Sequence, residues 1–274
     1  MKKPVYKKRL IQLVKMAVII YALAGILLWY FQERLLFQST ELPLNHQFAF
    51  ASKHRELLLP VNDKETLSIV QFYAGDSTPF KGVVLYFHGN KENIRHYEKY
   101  TSMFTTHGYD VWMMDYPTFG KSRGTLKEQR FYADAAILYK MALQKTSSDS
   151  IIIYGKSLGT GIATELASHQ SCKQLILETP YYSLPSLAAE RFPIYPASRM
   201  LRYRFPLFEY LQEVKAPVTV FHGTEDEVIP YSNAARLKSL LKNGDEFITI
   251  EGGEHNNLSS YNQYLNKLDA LLKR

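Results

Sequence analysis

The chain of 274 residues holds one cysteine, Cys172, and a single thiol excludes an intramolecular disulfide framework and any multi-cysteine zinc or redox motif. Its eight histidines contain no H-x-x-x-H spacing, so no metal is expected, and nothing calls for a cofactor. Acidic residues are absent from the first 32 positions, which carry Lys2, Lys3, Lys7, Lys8, Arg9 and Lys15. Those six account for most of the formal +7: of 33 basic residues, 27 remain for the rest of the chain, against 26 acids. A body so nearly neutral argues against a basic nucleic-acid-binding face, and no nucleic-acid partner is expected. There is no internal repeat, and the only biased tract is the basic start. With 46% hydrophobic residues the chain can bury one substantial core, but it is short for two domains.

What is present begins with the longest apolar run. Met16 to Phe31 has no charge, and extension back to Leu10 gives 22 residues interrupted only by Gln12 and Lys15. As a helix these reach about 33 Å, against a hydrocarbon core of about 30 Å. Lys15 can snorkel to one interface while Trp29 and Tyr30 suit the other. The division expected is a basic tail at 1–9, a membrane anchor at 10–31 and a body at 32–274. The basic cluster keeps the N-terminus cytoplasmic, so the body lies across the membrane, in the periplasm of a bacterium or the lumen or exterior of a eukaryotic cell. Two other readings stay open: a signal peptide cleaved near Ala22-Leu23-Ala24, and a buried core helix.

Beyond the anchor, residues 35–60 show no clear period, and then short β-rich runs alternate with helical patterns. Strands are predicted at 67–73, 82–87, 110–114, 150–154, 174–177, 218–221 and 247–250, and helices at 93–106, 127–144, 158–168, 233–241 and 257–272. Runs such as Val83-Val84-Leu85-Tyr86-Phe87 and Ile151-Ile152-Ile153-Tyr154 are apolar on both sides, as in a parallel sheet covered by helices. The fold class is therefore α/β, an open sheet with flanking helices. About forty residues after Glu178 break the rhythm with five prolines and eight aromatics, and read as a small cap at about 180–213. Its aromatics fit either the cap's own core or an apolar acyl pocket.

Gly155-Lys156-Ser157-Leu158-Gly159 follows Ile151-Ile152-Ile153-Tyr154 and precedes a helical pattern, so the G-x-S-x-G string has the strand–turn–helix context its chemistry needs. A serine hydroxyl becomes a nucleophile when a histidine takes its proton, and that histidine needs a carboxylate to hold its tautomer. In this context the order along the chain is serine, acid, histidine. His255, in the glycine-flanked loop Gly252-Gly253-Glu254-His255-Asn256-Asn257, is the candidate base; His222 ends a strand and reads as structural. Asp226 is the candidate acid in His222-Gly223-Thr224-Glu225-Asp226-Glu227, with Glu225 and Glu227 reading as solvated and Asp245 as a surface turn residue. Leu158 and Asn90, the latter after Phe87-His88-Gly89, are placed to give the two backbone donors of an oxyanion hole. His88 and Asp115 read as braces of their loops.

These residues make the sequence resemble the α/β-hydrolase superfamily, and most closely its single-span abhydrolase domain-containing branch. The matching pieces are Y-F-Q-E-R-L-L-F-Q at 30–38, Y-F-H-G-N at 86–90, D-Y-P-T-F-G-K-S at 115–122, G-K-S-L-G at 155–159, H-G-T-E-D-E-V-I-P at 222–230 and G-G-E-H-N at 252–256. Pro117-Thr118 departs from the Arg-Gly pattern common in such relatives. The resemblance implies a mostly parallel eight-stranded sheet and a triad of Ser157, Asp226 and His255. It also implies esters or thioesters of acyl or lipid-like character as substrates. Two alternatives remain at this point: a serine peptidase of the same fold, and a non-catalytic membrane-anchored binding or scaffold protein.

Overall fold

The computed structural model describes residues 3–75 and 78–273, so Met1 and Lys2 of the basic tail lie outside the described residues. Apolar runs that leave no polar face become interior strands. Eight strands form one sheet: β1 (His54–Asn62), β2 (Glu65–Phe72), β3 (Gly82–Phe87), β4 (Tyr109–Met114), β5 (Ile151–Lys156), β6 (Gln174–Glu178), β7 (Val218–Gly223) and β8 (Glu246–Ile250). Their order is β8-β7-β6-β5-β3-β4-β2-β1, and β2 alone runs antiparallel to its neighbours. Every residue of β3, β4, β5 and β7 is buried. Separate apolar clusters cover the two faces, one around Phe131, Ile153 and Leu166, the other around Tyr86, Phe104 and Leu268. The carboxyl ends of β3, β5, β7 and β8 consequently share one edge, where open α/β sheets place their ligands.

The strand β1 corrects the sequence reading, which saw no period before residue 60. Its residues are at best partly buried and it includes Pro60, so the alternation that marks a half-buried strand is faint. The chain tolerates the proline because β1 is the sheet's edge and its register shifts between Pro60 and Asn62. The helix expected over 93–106 is instead three short turns, at Ile94–Tyr97, Glu98–Tyr100 and Ser102–Thr105.

Four longer helices flank the sheet or extend from it: α1 (Lys3–Leu36), α2 (Glu128–Leu143), α3 (Gly159–His169) and α4 (Asn262–Lys273). The first carries the apolar run, and Leu10, Ile19, Leu23 and Ile26 are exposed around it. It continues five residues past Phe31 and meets the segment expected to form a cap, whose helices are Leu184–Arg191, Ala197–Met200 and Leu207–Leu211. Tyr21 stacks on Tyr195 with centroids 4.7 Å apart. Gln32 accepts a hydrogen bond from Arg202 N at 2.8 Å, and Glu33 accepts from Tyr203 Oη at 2.9 Å. An apolar cavity of about 90 Å³ remains at this joint, lined in part by Trp29, Phe192 and Met200.

Five of the eight aromatics after Glu178 pack against other side chains, while Phe192 and Tyr195 line the apolar cavity at the joint with α1. Tyr181, Tyr203 and Phe205 belong to the main core, and Tyr182 stacks on Phe208 at 4.4 Å. None of them lines the cleft over Ser157. Burial of these rings against the body stabilises the segment by removing apolar area from water.

Candidate active site

A tight turn between β5 and α3 lifts Ser157 above the sheet edge, and the backbone there adopts φ +51°, a left-handed conformation that a side chain tolerates only under constraint. The neighbouring glycines supply that constraint by letting backbones meet. A Cβ added at Gly159 would stand 2.0 Å from the carbonyl oxygen of Phe87, where β3 ends, so only glycine fits. Ser157 N donates to Glu178 O at 2.9 Å, which fixes the turn to β6.

Three side chains from separate loops converge. His255 Nε2 lies 2.9 Å from Ser157 Oγ, and His255 Nδ1 lies 2.8 Å from Asp226 Oδ2. Ser157, Asp226 and His255 are all buried, and Glu225 and Glu227 are exposed. The other oxygen of Asp226 accepts from Val228 N at 2.9 Å and Ile229 N at 2.8 Å, so both oxygens are held. Burial opposes ionisation of Asp226, but the hydrogen bond and charge of His255 outweigh it and hold the carboxyl below its ordinary value.

His222 sits behind this acid, donating from Nε2 to Ile229 O at 2.9 Å and lying 3.5 Å from Asp226 Oδ2. Burial pushes its pKa down, against the pull of Asp226. His88 stacks on Tyr97 and packs at a tilt against Tyr116, and Asp115 accepts from Ile94 N at 2.9 Å, so both brace the loop after β3. Asp245 differs from the surface residue expected: its Oδ1 accepts from Val218 N at 2.9 Å and it pairs with Lys242, tying the last turn to the start of β7.

The backbone N–H groups of Asn90 and Leu158 are not taken up by backbone hydrogen bonds among the described residues. Asn90 is itself gripped by the chain that leaves α1: its Nδ2 donates to Leu36 O at 2.9 Å and its carbonyl accepts from Gln38 N at 2.8 Å. Gln38–Ser39 then pairs in parallel with Lys91–Glu92.

Sequence reasoning missed a buried ionic network beside the nucleophile. Lys156 Nζ donates to Glu178, whose carboxylate also accepts from Tyr154 and from Tyr264 at 3.0 Å; Lys156 also reaches His255 O at 3.4 Å. Burial raises the pKa of Glu178, but the Lys156 charge and these hydrogen bonds outweigh it and hold the carboxyl low. The signal was a lysine and a glutamate at the ends of two apolar strands, where a charge survives only if paired. Above Ser157 opens a cleft of about 250 Å³ between the loop after β3 and the loop carrying His255.

A family model described as "Serine aminopeptidase, S33" matches residues 78–208. Alpha/beta hydrolase domain-containing protein 17C of Xenopus tropicalis is 30% identical over 194 residues, covering 69% of this chain and 61% of that protein. The chain thus spans less than two thirds of the length of this curated relative. Among solved structures, the Pyrococcus furiosus esterase Pf2001 superposes with TM-score 0.66 at 16% identity, over 87% of this chain and 97% of that one. An alpha-beta hydrolase from Vibrio vulnificus gives TM-score 0.66 at 18% identity, over 80% and 81%.

Proposed function

The chain belongs to the α/β-hydrolase superfamily, and from that premise we propose that it is a membrane-anchored serine hydrolase of carboxylic esters or thioesters, acting on acyl or lipid-like substrates. Ser157 is the nucleophile, His255 the general base and Asp226 its orienting acid. His255 takes the proton of Ser157 Oγ as the oxygen attacks the carbonyl, and returns it to the leaving group. The amides of Asn90 and Leu158 receive the oxyanion. Water, activated by the same histidine, then releases the acyl group. The observation that carries this reading is the relay of 2.9 Å and 2.8 Å from Ser157 through His255 to Asp226, at a left-handed turn.

The helix α1 anchors the enzyme through residues 10–31, with the tail at 1–9 cytoplasmic and the body at 32–274, including the cap at about 180–213, on the other side. Apolar side chains exposed around the helix support this, since water would penalise them.

Ser157→Ala is expected to lower hydrolysis of p-nitrophenyl esters by at least about 10³-fold with an unchanged melting temperature. Activity retained in that variant would overturn the assignment. The description of the matching family model favours one further reading, amide cleavage, and the same assay with aminoacyl p-nitroanilides separates the two.

A further inference from the structure

The cleft over Ser157 has a one-sided charge. Its lining includes Lys91, His96, Lys99 and Lys156 and no aspartate or glutamate. This does not follow from the protein's overall charge, because the chain after the basic start is nearly neutral and no lining residue precedes Gly89. Lys156 is balanced by Glu178, which leaves Lys91 and Lys99, both exposed, as the lysines of the lining without an ion pair among the described residues.

Their positions are braced. Lys99 Nζ stands 5.0 Å from the ring centroid of Tyr100, and His96 packs edge-on against Tyr97 at 4.9 Å. Lys91 follows Asn90 directly, and its backbone is held in the short parallel pair with Gln38. Burial lowers the pKa of His96 most; Glu92, 3.5 Å away and outside the cleft lining, is the strongest charge acting on it and pulls it up, while Lys99 and Lys91 push it down.

We propose that this cleft selects esters carrying an anionic group, a phosphate or a carboxylate, which Lys91, Lys99 and His96 bind close to the reacting carbonyl. The proposal rests on the hydrolase reading and narrows its substrate class. A cleft of one sign also steers anionic substrates toward the nucleophile, an effect that fades as salt rises.

The test uses two matched pairs: oleoyl lysophosphatidate against monooleoylglycerol, and p-nitrophenyl hemisuccinate against p-nitrophenyl butyrate, each corrected for spontaneous hydrolysis. The wild-type chain is expected to favour the anionic member in kcat/KM by about tenfold or more in at least one pair, and that pair identifies phosphate or carboxylate as the group read. In the double variant Lys91→Ala/Lys99→Ala the ratio is expected to fall toward one. Because each ratio is taken within one preparation, the folded fraction cancels. Ratios at or below one in both pairs, or a ratio that survives the double substitution, overturn the proposal while leaving the hydrolase reading intact. Failure to turn over either member of either pair overturns both.

Discussion

At the scale of single residues, the site is organised by buried groups that hold one charge state. His222 is kept neutral behind Asp226, its pKa lowered by burial from the ordinary histidine value of 6.5. As pH falls through that value the unfolded chain takes up the proton first, so this contribution to stability is complete above about pH 7 and erodes below 6.5. The melting temperature is therefore expected to decline from pH 7 to pH 5.5, with a flatter slope in His222→Gln; an upward slope over that window contradicts the account. Lys156 and Glu178 form the complementary case, a charge pair with both members buried. Lys156→Ala strands the carboxylate and is expected to cost about 3–5 kcal/mol in denaturant melts, part of it recovered in Lys156→Met/Glu178→Gln. A cost below about 1 kcal/mol contradicts that reading. The triad candidates were legible in the sequence because each stands in a glycine-bearing turn after an apolar strand. The ionic network and the cationic cleft were not, because lysines and glutamates carry no period and their partners are far apart along the chain.

At the scale of elements, the interior strands were legible from runs without a polar face, whereas β1 was hidden by its edge position and Pro60. The broken helix over 93–106 escaped for a related reason: its turns are shaped by Asn93, whose side chain accepts from Arg95 N, and by Asp115 accepting from Ile94 N, rather than by an amphipathic stripe. The break in rhythm after Glu178 was legible, but the docking of that segment on α1 was not. That joint depends on Gln32, buried between α1 and the helices after β6, which accepts from Arg202 N and donates to Trp29 O at 2.7 Å and Met200 O at 3.4 Å. Gln32→Ala leaves the Arg202 amide without its partner and is expected to loosen the cap by about 1–3 kcal/mol. The check is limited proteolysis, with faster cleavage between Phe192 and Arg204 and little change in the global melt. An unchanged cleavage rate contradicts a structural role for this joint.

At the scale of the whole molecule, the chain divides its charge and its apolar surface between two tasks. In the proposed reading the basic start and the exposed apolar side chains of α1 serve attachment, and the nearly neutral body carries the sheet whose carboxyl edge gathers Ser157, Asp226 and His255. The helix also reaches the edge of the site, where the chain leaving α1 holds Asn90 through Leu36 and Gln38. The central claim is that Ser157 is chemically activated in a membrane-held enzyme. Its most direct measurement is fluorophosphonate labelling of carbonate-washed membranes containing the full chain, with the modified residue mapped by mass spectrometry. The account predicts covalent label on Ser157 in the membrane pellet and none in His255→Ala. A folded chain that takes up no label, or carries it on another serine, contradicts it.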